Sequence, residues 1–577
     1  MRSTVGQVSK FRRFASFLKN DAGSITQMLG LSALPLFAAL GAAVDTVRIN
    51  REQTAFHAAV DSAVLAIAAD DRSAIGSQTT AQQATSIATL TELGKSYINS
   101  SYKPSAGTSN DIAVNLTITN QAITITATHA VPTAIMGLFG GGTTNLSTTS
   151  EVKKAMRPVE LTLVMDTTGS MATNNKISGA KSAAKQLLTT LYSGTLAQAP
   201  QSEFIRVSLV PFAAAVRLDT SAYDFDLGWI DTTGANPLSK LNYNDTSWNN
   251  YMAWSQVKPG GVTGVWNGCV EARTKTGGLT QNDAAPTSGD SLFPAYFSPD
   301  TPTRRNPSNL TQAQSSQYGT DYISGNVTGS LSGENVLITS TQASDWSEIP
   351  GRLFVQQNQN KYVNKVLSAE STSTTGPWTG CAASKVVPMT YNRTKIEAGI
   401  DAMVASGPTL IAEGLAWGWR TISPTEPFTK VEGTSTIAAS TLSVYDDVRW
   451  RKVMVLMTDG DNDLGAGSYY FNGTTYSAYG RGREDLANNR FGTTVDSNIM
   501  TALDDGMLAV CTAVKAKNIE LYVTSFGTGV STATKNRLQS CATDADNYAN
   551  STTTSDLVVF FDHIGQDVIN KSVYVSK

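Results

Sequence analysis

Histidine is almost missing from this chain: His57, His129 and His563 are the only three in 577 residues. Cysteine is hardly commoner, with Cys269, Cys381, Cys511 and Cys541, none of them in a C-x-x-C pair. Ligands so scattered show none of the spacings of a tetrahedral zinc site of nitrogen and sulfur donors. Charge is thin too, at 16% of residues, against about 25% in ordinary soluble domains. Ser, Thr, Asn and Gly fill the gap, which suits an extracytoplasmic protein with long polar loops. The net charge of -3 gives no reason to expect a nucleic acid as partner. No P-loop, no H-E-x-x-H and no G-x-G-x-x-G in a βαβ unit occurs, which removes the commonest nucleotide and metallopeptidase chemistries.

What is present begins with an apolar run from about Ile25 to Val44, preceded by Arg2, Lys10, Arg12, Arg13 and Lys19. Twenty helical residues span about 30 Å, the thickness of a bilayer's hydrocarbon core. Basic residues ahead of the run put the N-terminus in the cytoplasm, although Arg48 and Arg51 follow it. A cleaved signal peptide is the other reading. Against it, the run is long for such a segment and Ala42-Ala43-Val44 is a poor cleavage site. Ala55, Ala58, Ala59, Ser62, Ala63, Leu65, Ala66 and Ala69 continue a helical pattern, either as a plain stalk or as a face for a partner helix. Ile112, Val114, Leu116 and Ile118, then Ile123, Ile125 and Ala127, alternate with small polar residues. They predict two strands joined by a turn at Asn120-Gln121. Gly137–Gly142 reads as a loop.

The chemistry-bearing constellation starts at a short apolar strand, Glu160–Met165, that runs into Asp166-Thr167-Thr168-Gly169-Ser170. A helix with Ile177, Ala180, Ala184, Leu187, Leu188 and Leu191 on one face follows. Oxygen side chains between a strand and a helix define a cation site at the carboxyl edge of a parallel sheet. Alternate residues of the loop turn Asp166, Thr168 and Ser170 toward one point. Gly407-Pro408-Thr409 precedes a helical stretch, Leu410 to Arg420, and the strand Lys452–Met457 ends in Thr458-Asp459-Gly460. Asp461 and Asp463 either extend the site or, the plainer reading, belong to a solvated loop.

The order Asp-x-Thr-Gly-Ser, Thr, Thr-Asp-Gly resembles the metal-ion-dependent adhesion site of von Willebrand factor A (VWA) domains, many of which have Ser where this chain has Thr168. The resemblance implies an α/β fold, a doubly wound, mainly parallel Rossmann-like sheet. It implies Mg2+, or Mn2+ or Ca2+, held by Thr168, Ser170 and Thr409, with Asp166 and Asp459 acting partly through waters. It also implies an acidic side chain of a protein partner completing the sphere, so that the domain binds and does not turn over a substrate.

The first 70 residues resemble the TadG-like proteins of tight-adherence (Flp) pilus assembly. The resemblance rests on Phe14 to Lys19, Asp21-Ala22-Gly23-Ser24, Ala33–Leu36, Gly41-Ala42-Ala43-Val44-Asp45 and Asp61-Ser62-Ala63. Pilin-like relatives carry a Glu shortly after the Gly at which they are cut; Gly23 is followed by Ser-Ile-Thr-Gln-Met, without one. TadG-like heads also resemble the arrangement in which Cys511 and Cys541 bracket the strand Glu520–Phe526, which implies that these two pair.

These readings divide the chain into a basic cytoplasmic segment (1–24), an anchor (25–45), a membrane-proximal helix and strand region (46–155) and a VWA domain (156–577). The VWA domain carries a long insertion at about 219–395. Met507, Val510, Cys511 and Val514 give one further helix, and Leu557, Phe560, Phe561, Ile564 and Val568 a closing one. In the insertion, Trp266-Asn-Gly-Cys269 echoes Trp378-Thr-Gly-Cys381, and a bond between these cysteines would close a loop of about 110 residues. Trp248, Trp254, Trp266 and Trp378 either line a binding face or, the plainer reading, fill a core short of aliphatics. Gly289-Asp290-Ser291-Leu292 matches the signature of GDSL esterases, but it lies in a polar loop, and Asp562-His563 has the wrong spacing to complete a triad. The expectation is a non-enzymatic, membrane-anchored adhesion or assembly protein of the bacterial inner membrane, with its head periplasmic or surface-exposed and pilus components among its partners. A general envelope scaffold is the alternative.

Overall fold

The computed structural model describes residues 24–576, except 74–79, 105–111, 120–121, 134, 136, 138–141, 194–202, 274–280, 301–321, 324–326, 332–333, 339–356, 368–375, 465–474, 483–489 and 494. The basic segment, Gly23 and the turn expected at Asn120-Gln121 lie outside the described residues. The chain divides into two units, Met1–Ala155 with Val573–Lys577, and Met156–Ser572.

In the first unit the anchor and the Ala-rich stretch form one continuous helix, α1 (Ser24–Ala68), with Pro35 inside it. From Met28 onward it is long and apolar enough to cross a membrane, by length and composition. Leu31, Leu36, Phe37 and Leu40 stand exposed on it. Its second half buries Phe56, Ala59, Val60, Ala63, Val64 and Ile67 against α2 (Thr80–Ser101) and an antiparallel sheet. The small-residue stripe read from the sequence is split, since Ala59 and Ala63 lie in the packed face while Ala55, Ala58, Ser62 and Ala69 are exposed. Bulk decides this: Phe, Val and Ile remove more apolar area from water than Ala does.

The sheet runs β1 (Ala113–Ile118), β2 (Ala122–Pro132), β3 (Thr143–Met156) and the C-terminal strand Val573–Ser576. β1 and β2 pair antiparallel, Ile118 opposite Ile123 and Leu116 opposite Ile125. β3 is unannounced by hydrophobic alternation, because its inward positions are Leu146, Thr148, Ser150 and Val152. The two inward hydroxyls mask the period of two; Ser150 donates to Asp61 at 2.5 Å. The final strand belongs to this sheet, although the sequence reading ran the second domain to residue 577. An isolated four-residue strand shows no partner in sequence.

The second unit is built on a six-stranded sheet. β4 (Val159–Asp166) lies between β5 (Ile205–Phe212) and β7 (Arg451–Thr458), and β8 (Glu520–Phe526) and β9 (Tyr548–Ser551) continue beyond β7. All these pairs are parallel. β6 (Val387–Thr390) closes the other edge antiparallel to β5.

Alternation along each strand feeds two cores. Leu161, Leu163, Met165, Val453, Val455 and Met457 face α3 (Lys176–Ser193), α4 (Arg393–Asp401) and the closing helix Thr554–Ser572. Val164, Phe212, Met454 and Leu456 face α5 (Ile411–Ile422) and α6 (Asp496–Lys515). Helices thus cover both faces, which explains why the strands read as nearly continuous apolar runs.

The inserted chain ends sooner than residue 395, because β6 and α4 belong to the sheet and its core. A four-residue edge strand containing Pro388 is too short to show a period. The aromatics of the insertion fill its core. Trp254 and Trp266 are buried, Trp254 stacks on Trp378 with ring centroids 5.3 Å apart, and Trp248 and Trp378 pack against the same cluster. Cys269–Cys381 and Cys511–Cys541 are both bonded, closing sequence separations of 112 and 30.

Candidate metal centre

Parallel pairing puts the carboxyl ends of β4 and β7 side by side, with Met165 opposite Met457. Asp166 ends β4 and Asp459 follows β7, so both carboxylates emerge at one edge of the sheet. Asp166 is fully buried. Its Oδ1 accepts from the Thr168 amide at 2.8 Å, and its Oδ2 from the Thr458 hydroxyl at 2.7 Å. The first bond closes a tight turn, and the chain then enters the 3-10 segment Gly169–Asn175. The Thr168 and Ser170 hydroxyls lie 3.0 Å apart, and Ser170 donates to Asp459 Oδ1 at 2.6 Å.

Thr409 arrives from a third loop, laced to the other two through the backbone. The Gly169 amide donates to Gly407 O at 2.8 Å, and the Ser406 amide to Thr167 O at 2.7 Å. Thr409 and Asp463 exchange both backbone bonds, at 2.8 and 2.9 Å. A methyl group on Gly460 would stand 3.8 Å from the Ser170 and Thr409 hydroxyls alike, so these two oxygens flank one glycine. Asp166, Thr168, Thr409 and Asp459 are each at most 5% exposed, whereas Ser170 stands on the exposed rim. The five residues expected to hold a metal are thereby brought to one edge of the sheet.

Burial pushes the Asp166 carboxyl up, the charge of Asp459 adds to it, and the two raise it to about 6. A small hard cation with oxygen ligands relieves both causes, and the donor set is oxygen throughout, as Mg2+ prefers. Among the described residues no three His, Cys, Asp or Glu side chains converge anywhere.

Sequence reading missed the role of Thr458 and missed Lys176 altogether. The Thr458 hydroxyl positions Asp166. Lys176, the first residue of α3, places its Nζ 2.7 Å from Asp459 Oδ2. A lysine at a helix N-terminus, where the backbone dipole disfavours positive charge, was the available signal. Asp461 accepts from the Ser531 amide at 3.0 Å and serves the loop. Ser291, the residue of the esterase-like motif, donates to Ser288 O and accepts from two backbone amides. Asp562 is taken by Gln186 and Thr190 of α3.

Residues 23–71 match the family model described as putative Flp pilus-assembly TadE/G-like. No curated protein matches the chain. Among solved structures it is similar to the pilus adhesin SpaC from Lactobacillus rhamnosus GG, at 12% identity over 80% of this chain and 35% of that one, with a TM-score of 0.30. The vWF domain of the type V pili tip protein Mfa5 from Porphyromonas gingivalis is similar at 9% identity, over 72% and 96% of the two chains, with a TM-score of 0.27. Proximal thread matrix protein 1 from the mussel byssus, with a zinc-occupied MIDAS motif, is similar at 18% identity over 33% and 34%, with a TM-score of 0.19. The chain thus spans about a third of the SpaC adhesin's length.

Proposed function

We propose that this chain is a membrane-anchored adhesion or assembly protein of the bacterial cell envelope, acting in Flp/Tad pilus biogenesis. In this reading its second unit is a doubly wound VWA domain that binds a protein partner through a divalent cation. The observation that carries the proposal is the meeting of Asp166, Thr168, Ser170, Thr409 and Asp459 at the carboxyl edge of the sheet. Thr168, Ser170 and Thr409 offer neutral oxygens to Mg2+, Mn2+ or Ca2+, and Asp166 and Asp459 offer the counter-charge. A cation held mainly by hydroxyls supplies an electrophilic point for an acidic side chain of the partner. The chain's own work is to hold the oxygens in place, through Thr458 on Asp166 and the backbone bonds that tie the three loops.

The apolar helix from Met28 supports an anchor. The two disulfides support an oxidising compartment for the head, periplasmic or at the cell surface. The match at residues 23–71 favours a pilus role over a general envelope scaffold. Calorimetric titration of Mn2+ and Mg2+ into the detergent-solubilised full chain tests the centre. Saturable binding lost in Asp166→Ala is expected, and its absence from the intact chain overturns the reading. A periplasm-active reporter fused after Asp70 is expected to be active; a cytoplasm-only signal overturns the topology. Loss of Flp-type pili on deleting the chain separates the pilus role from the scaffold.

A further inference from the structure

We infer that Lys176 is a tethered cation that shares Asp459 with the divalent ion, keeping the ion weakly held until an acidic partner adds its own charge. This rests on the metal-binding reading above and concerns the regulation of that site.

The Lys176 ammonium lies 2.7 Å from Asp459 Oδ2, while Asp459 Oδ1 accepts from Ser170 at 2.6 Å. Both oxygens of the carboxylate are engaged. The contact is secluded, with the Lys176 side chain 13% and the Asp459 side chain 0% exposed.

The seat is built for this side chain. Asn174 and Asn175 both take positive φ, 50° and 60°, immediately before it. Such conformations are uncommon outside glycine, and asparagine adopts them most readily. They turn the chain so that α3 begins at the centre. Gly527, itself at φ +84°, leaves room for the lysine stem, since a methyl there would stand 3.2 Å from Lys176 Cε. The helix N-terminus makes this a poor place for a cation unless a carboxylate compensates. Asp459 does so.

Asp166 and Asp459 together carry two negative charges, one short of neutralising a divalent ion and the Lys176 ammonium at once. A divalent ion among Thr168, Ser170, Thr409, Asp166 and Asp459 either displaces the ammonium or binds against its repulsion. A partner's carboxylate restores the balance, so ion and acidic partner bind cooperatively, each raising the affinity of the other. Without the ion, the ammonium holds Asp459 and keeps the loops assembled.

The test compares wild type, Lys176→Gln and Lys176→Arg as detergent-solubilised full chains, by calorimetric Mn2+ titration and by melting in EDTA and in Mn2+. Lys176→Gln is expected to bind Mn2+ roughly ten-fold more tightly or better, the scale of one unit charge removed a few ångströms away in partly wet protein. It should melt lower than wild type in EDTA and recover in Mn2+. Lys176→Arg, which keeps the charge, should bind like wild type. Equal affinities in wild type and Lys176→Gln overturn the inference and leave the metal centre standing, as does tighter binding by Lys176→Arg. No saturable binding by any of the three overturns the metal centre, and the inference with it.

Discussion

The Thr458 hydroxyl donates to Asp166 Oδ2 at 2.7 Å, joining the ends of two neighbouring strands through one buried bond. Thr458→Val keeps the shape and removes the donor. A hydrogen bond to a charged group contributes about 1.5–3 kcal/mol, so Mn2+ affinity should fall roughly ten-fold or more while far-ultraviolet circular dichroism stays unchanged. Unaltered affinity in the calorimeter would show that Asp166 is oriented without Thr458.

At the opposite end of the sheet, fully buried Glu160 binds Arg206 at 2.7 Å, the Ser443 amide and hydroxyl at 2.9 Å, and Lys452. Burial holds the Lys452 amine below its ordinary value, and Glu160 opposes that. Glu160→Ala leaves two buried cations without their counter-ion, at a cost of about 3–5 kcal/mol. Exposed Glu151 on β3 provides the contrast, since Glu151→Ala should change stability by about 0.5 kcal/mol or less. Thermal melts of the two variants at neutral pH decide this; equal shifts would refute it.

Acid should weaken the second unit through Glu520. Burial alone would raise this carboxyl, but Arg451 and Lys571 outweigh it and hold it at about 2, below its usual 4.5. A carboxyl lowered by folding stabilises fully above its unfolded value and loses that contribution as pH falls toward the folded one. Glu520→Gln should therefore melt lower than wild type at pH 7, and the gap should close between about pH 5 and pH 2. A gap that persists at the acid end would point to packing as the cause.

Cys511–Cys541 ties α6 to the helix Thr532–Cys541 across β8, at a sequence separation of 30. In the chain-entropy model a loop of this length is worth about 3–4 kcal/mol, and the 112-residue loop of Cys269–Cys381 about 4–5. Cys511→Ala/Cys541→Ala and Cys269→Ala/Cys381→Ala should lower the melting temperature in that order of increasing effect. Non-reducing peptide mapping of the native protein should recover both pairs; a free thiol at any of the four would count against them.

Much of the second unit was legible in sequence because each oxygen side chain of the centre lies at the end of an apolar strand or at the start of a helix. Buried parallel strands such as Val159–Asp166 and Arg451–Thr458 must be apolar on both faces, and that leaves a plain signature. Strand β3 left none, because hydroxyls occupy its inward positions. The alanine stripe of α1 gave only part of the packed face, Ala59 and Ala63, since spacing alone does not say which side meets the larger residues.

The sequence by itself determined the strand-loop-helix unit at Asp166, the Thr409 and Asp459 loops and the long apolar helix, because these depend on residues close in the chain. Only the tertiary structure decided that Val573–Ser576 joins the first unit's sheet, that the insertion's tryptophans are core, and that Lys176 meets Asp459. A contact between residues 283 positions apart is fixed by strand register and loop conformation, and neither is written in the local order of the residues it joins.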